Sequence, residues 1–184
     1  SYNVIHWSGF NLGPVLDWSD GRRERASSRL SGFGNVEPAP QAGVFAEYAP
    51  SDLWRLYVRG KRSLLHRSGI VAETGGEFDV PATKWLVFNT KLSGSWADRR
   101  QLQDFYGVSA AQSVASGLPA YRPHGSAQDL VAEETVVLLL DDHLALNGVF
   151  SYRRLLAEAA ASPLVRQRGE RGQFGYGVVL VYHF

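Results

Sequence analysis

The run from Leu130 to Leu140, LVAEETVVLLL, constrains this chain more than any other stretch. It is too long and too apolar for an edge strand, so it predicts a strand inside a sheet. Two adjacent acids, Glu133 and Glu134, stand near its start. A strand that opens on a carboxylate and then buries itself holds one acid at the edge of a cleft. Alternation leaves only Glu133 on the side of Thr135 and Val137. The plain alternative is a solvated strand entrance, and the sequence leaves open which of the two acids is functional.

At 184 residues the chain suffices for one domain with its own core, spanning 1–184, and is short for two. Its 45% hydrophobic and 20% charged content argues against disorder. Having no cysteine, it has no disulfide, thiolate metal site or thiol nucleophile. No stretch approaches the roughly 20 apolar residues of a helical membrane span. The start, SYNVIHWSGF, lacks the pattern of a signal peptide. A cytoplasmic protein, or a mature fragment, with no membrane contact is the expectation.

Strands are predicted at Tyr2 to Trp7, Val44 to Tyr48, Trp85 to Asn89 and Leu144 to Tyr152, with a last one in GYGVVLVYHF. Pro14 suits the first position of a short helix, PVLDW. Asp17 to Gly43 reads as a long loop excursion. Ser51 or Asp52 caps a second predicted helix carrying Leu53, Leu56 and Tyr57 at helical spacing. Trp96 to Tyr106 and Ser109 to Ser116 predict two more, and Ser151 caps a last one, YRRLLAEAAAS, which Pro163 ends. Together these elements predict an α/β (α+β) fold, a split and bent β-core with flanking helices.

Three separated pieces carry chemistry-bearing residues: HWSGFNL at 6–12, FAEYAPSDLWRLY at 45–57 and AEETVV at 132–137. His6, Ser8, Asn11 and Leu12, then Arg22-Arg23, then Tyr48, Pro50, Leu56 and Tyr57, then Ala132-Glu133 follow an order similar to ADP-ribosyltransferase domains. The resemblance is to the DarT-type toxins that modify DNA. Ser8 replaces the family's usual Thr, and the spacing within HWSGFNL is tighter than the family's. The resemblance implies an NAD-dependent transferase, a glycosyl-transfer enzyme with NAD as co-substrate and no metal. Glu133 would be the catalytic carboxylate against an oxocarbenium-like ribose, with Arg22 or Arg23 on the phosphates. His6, Ser8, Asn11 and Tyr48 would line the dinucleotide pocket. A neutralising antitoxin partner is implied as well.

Arginine dominates the cations, lysine occurring only at 61, 84 and 91. The basic segment with Arg55, Arg59, Arg62 and Arg67 is suited to track a nucleic-acid backbone, single-stranded DNA under the toxin reading. Its plain alternative is a solvated helix face. Two other functions stay open. RQRGERGQFGYGVV resembles the glycine-rich loop and strand of Cas6-type RNA-processing proteins, which would make the chain an RNA-binding or RNA-cleaving protein. The remaining one is a non-catalytic binding module whose aromatic residues are core.

Overall fold

The computed structural model describes residues 5–65, 69–141 and 143–182. They form one nine-stranded antiparallel sheet in simple chain order, each strand paired with the next. The strands are β1 (Ile5–Trp7), β2 (Phe10–Ser19), β3 (Ala39–Ser51), β4 (Trp54–Ser63) and β5 (Ile70–Pro81). They continue through β6 (Leu86–Ala97), β7 (Ser126–Leu139), β8 (Leu144–Leu155) and β9 (Gly172–Tyr182). Among the described residues, β1 pairs only with β2 and β9 only with β8.

This up-and-down meander overturns the expected α/β core. No parallel pairing exists among the described strands, so no split βαβ-type core can form. The predicted helix PVLDW is the middle of β2, where Val15 is buried and Leu16 is 76% exposed. That is period-2 alternation, read earlier as a helix start because Pro14 follows a turn. Among the described residues Pro14 pairs with Val44 of β3 alone, leaving its ring side without a described partner strand, where proline is tolerated. The helix expected after Ser51 is β4, entered through the two-residue turn Asp52-Leu53. The helix expected from Tyr152 starts later, because Tyr152, Arg153 and Arg154 pair with Phe174, Gln173 and Gly172. Pairing with a neighbour outweighs the helix propensity of an alanine-rich segment. The apolar run does lie inside the sheet, as β7 between β6 and β8, but its two acids sit in mid-strand.

The two ends of the sheet differ. At one end the connections are short: Ser8-Gly9, Asp52-Leu53, and the segments 82–85 and 140–143. Ser8 and Gly9 both have positive φ, 47° and 83°, the backbone of a tight primed hairpin. At the other end three long connections fold into a cap. The β2–β3 connection holds two 3₁₀ turns, Glu24–Ala26 and Ser28–Leu30. The β6–β7 connection holds α1 (Arg99–Tyr106) and α2 (Ala110–Ser116), and the β8–β9 connection holds α3 (Ala157–Ala161) and α4 (Pro163–Arg168).

Local chemistry starts α1, α2 and α4, whereas α3 has no side-chain cap. Asp98 accepts from the Gln101 N–H ahead of α1, and Ser109 with Gln112 makes a reciprocal capping box for α2. The helix expected to end at Pro163 does stop there, α3 closing on Ser162, and Pro163 also takes the first turn of α4 behind the Ser162 cap. The cap packs around two cores. One joins Leu102, Ala159, Ala160 and Val165 to the strand residues Ala97 and Leu155, and the other joins Phe33, Val108, Leu118 and Leu164. Arg168 fastens the three connections together: Nη1 donates to the Ser31 carbonyl at 3.0 Å, and Nη2 donates to the Ser116 carbonyl.

Candidate functional site

The register decides which side chains share a face. Residues directly opposite in an antiparallel pair point the same way. Odd-numbered positions of the long strands face the cap; Ala97 and Leu155 do so inside its core. Even-numbered positions face away.

The outward face is apolar almost throughout. It presents Leu12 and Leu16 on β2, Leu56 and Val58 on β4, Leu92 on β6, Leu130 on β7, and Val178 and Leu180 on β9, all exposed. Aromatic residues gather toward both ends. At the short-turn end Phe10 stacks on Tyr48 at 4.4 Å, and Tyr48 meets Trp54 edge-on at 5.8 Å. Phe78 lies in register beside Trp54. At the cap end stand Trp18, Trp96 and the Tyr152–Phe174 pair, whose rings are 4.7 Å apart.

The inward face is polar and paired with itself. Glu73 accepts from the Tyr57 hydroxyl at 2.8 Å and from Arg59 at 2.7 and 2.9 Å. Arg55 pairs with Glu77, and Lys61 with Asp17. Asn11 donates to Glu47 at 2.9 Å, Asn89 to Asp79 at 2.6 Å and Ser95 to Asp129 at 2.5 Å. Two contacts skip a strand: Lys61 on β4 reaches Asp17 on β2, and the Lys91 ammonium on β6 lies 5.8 Å from the Tyr57 ring on β4. The sheet is therefore bent with this face inward. Gly75 shows how full the interior is: a Cβ there would stand 2.6 Å from the Tyr57 hydroxyl and 2.7 Å from the Leu92 carbonyl oxygen.

The residues singled out from the sequence are spread over these regions. Glu133 faces inward on β7, in register between Lys91 and Ser151. Its neighbour Glu134 faces outward, where the Thr90 hydroxyl donates to its Oε2 at 2.6 Å. Tyr48 lies on the outward face in the aromatic cluster, so sheet and backbone separate it from Glu133. Asn11 is inward; Ser8 is exposed in the first turn; His6 is opposite Asn11 in β1. Arg22 and Arg23 belong to the cap, where Arg22 Nη1 donates to the Phe105 carbonyl at 2.6 Å. Arg55 and Arg59 face inward against glutamates, Arg62 faces outward, and Arg67 lies outside the described residues. The structure thus does not bring Glu133, Tyr48 and the paired arginines to one hollow. Sequence reasoning missed the inward ladder, although the even spacing of Arg55 with Arg59 and of Glu73 with Glu77 was its signal.

In the cap, burial raises the pKa of Tyr106 to about 12, with Asp129 adding to the shift. Burial also raises that of Tyr121, whose hydroxyl donates to the Glu158 carboxylate at 2.7 Å. Both phenols stay neutral through the physiological range.

A family model described as MltA-interacting protein MipA matches residues 1–184. No curated protein matches the chain. No ADP-ribosyltransferase model matches, so the likeness to DarT-type toxins, drawn from short and widely spaced motifs, was coincidental. With it go the transferase activity, NAD as co-substrate, the toxin role, and the nucleic-acid and antitoxin partners. The match supports neither the Cas6-like reading nor the plain binding module.

Proposed function

This chain belongs to the MltA-interacting protein MipA family, and on that premise we propose that it is a membrane-seated scaffold. Its partner would be MltA, a murein transglycosylase, and its role binding rather than catalysis. One observation carries the membrane seat: the register turns an apolar, aromatic-flanked face outward along every long strand and a self-paired polar face inward. Lipid requires that arrangement of strands, whereas a water-soluble sheet hides its apolar face. Among the described residues no helix is long and apolar enough to cross a membrane, and that criterion does not bear on strands.

Short turns at one end and long connections at the other match the shape of outer-membrane barrels, in which the short turns face the periplasm. On this reading the location is the outer membrane, in place of the expected cytoplasm. Lipid also requires the edges of the sheet to close, and a barrel so closed would enclose the paired polar side chains of the inward face. A scaffold needs no more than that.

The test has two arms. Reconstituted into lipid vesicles, the chain is expected to resist protease along its strands and to retain purified MltA saturably. A chain that stays in the aqueous phase and ignores vesicles would sink the membrane seat. Vesicle-inserted chain that fails to retain MltA would sink the partner alone.

A further inference from the structure

Between the cap and the inward face lies a cavity of about 660 Å³. Its wall includes Arg22, Phe33, Ala39, Gln41, Gln101 and Phe105. A second hollow, of about 630 Å³, touches Arg22 from the side of Leu30 and Phe174. Arg22 therefore stands in the partition between them. Its backbone is fixed by two hydrogen bonds with Val36, at 2.8 and 2.7 Å, and its guanidinium carbon lies 5.6 Å from the Phe33 ring.

Four inward cations of the strands have a carboxylate: Arg55 has Glu77, Arg59 has Glu73, Lys61 has Asp17 and Arg153 has Asp129. Arg22 has none within ion-pair distance among the described residues. Its one side-chain acceptor is the Phe105 carbonyl, and its Nε is sealed from solvent without any. Asp104 and Glu24 act on it only through space, and burial outweighs them, drawing its pKa below the ordinary arginine value. An arginine remains charged regardless. A charge taken out of water calls for a counter-charge. Here the protein supplies a mostly apolar cavity of ligand size instead.

We propose that this cavity binds a small amphipathic anion, an apolar body carrying a carboxylate or a phosphate, with Arg22 as its counter-ion. The apolar body lies against Phe33 and Phe105, and the guanidinium fork receives the anion. The side-chain amides of Gln41 and Gln101 supply donors nearby. Glu37 and Asp104 also line the cavity and disfavour a dianion placed away from Arg22. This site is independent of the scaffold reading and of whether the sheet sits in lipid.

The experiment uses the full chain in lipid nanodiscs and ligand-observed NMR with three water-soluble probes: benzoate, phenyl phosphate and the neutral benzamide. Benzoate is expected to bind at least tenfold more tightly than benzamide, and phenyl phosphate tells whether the site prefers the larger anion. Arg22→Gln is expected to weaken benzoate at least tenfold and leave benzamide unchanged. Ala39→Leu, which fills the cavity and leaves the charge alone, is expected to abolish both. Equal affinity for benzoate and benzamide would overturn the proposal. So would benzoate affinity unchanged in Arg22→Gln or in Ala39→Leu, or no binding of any probe to the wild type.

Discussion

The strand wall and the helical cap are held together by different physics. In the cap the apolar side chains point at each other: Leu102, Val108 and Ala159 are wholly buried, with Leu155, Leu118 and Phe33 nearly so. In the wall most large apolar side chains point away from the interior, Val15 and Phe45 being buried exceptions, and the inward face carries ion pairs and hydroxyls. A water-soluble domain uses the first arrangement only. On the membrane-seated reading proposed above, the wall meets lipid and the cap meets water. The lesson is that burial by itself does not identify the apolar face of a sheet; the register does.

The sharpest way to break the contrast is Leu102→Ala. It empties the centre of the cap core and is expected to cost about 2–5 kcal/mol. Hydrogen exchange is expected to rise in α1, α3 and α4 while β4 and β5 stay protected. Loss of protection everywhere would mean that wall and cap are one cooperative unit.

Val58→Arg probes the other solvent. Val58 faces outward in mid-strand, in register with Ala46 and Thr74. In a bilayer the substitution is expected to cost about 2–4 kcal/mol near the midplane, read as denaturant midpoint in vesicles. A face bathed in water would register less than about 0.5 kcal/mol.

The smallest effect concerns the cap alone. The folded pKa of Tyr106, near 12, exceeds the ordinary value of 10, so the neutral phenol is favoured by the fold. That contribution is complete below pH 10 and is lost as pH rises through 12, at most about 3 kcal/mol. Tyrosinate absorbance is expected to rise late, with loosening of the cap between pH 10 and 12. Tyr106→Phe should remove that step. If the variant loosens over the same range, another group governs it.

Signals in the cap were legible where they are local: helical spacing marked 96–106 and 109–116, although α1 begins only at Arg99, behind the Asp98 cap and after the end of β6. The wall was harder. Each of its strands mixes small, charged and aromatic residues, so its alternation is weak segment by segment, and Leu53, Leu56 and Tyr57 imitate a helix. The inward ladder was illegible for another reason: Asp17 with Lys61, and Tyr57 with Lys91, meet only after the sheet bends.

Residue order by itself determined the interior place of β7 and the helical stretches of the β6–β7 connection, since each depends on the apolar length of one run or on spacing a few residues apart. Only the tertiary structure decided that Glu133 and Glu134 part to opposite faces in a nine-strand meander, and that Arg22 has no acid within ion-pair distance among the described residues. Strand pairing sets those outcomes across dozens of residues, and a shift of one residue would exchange every inward side chain for an outward one.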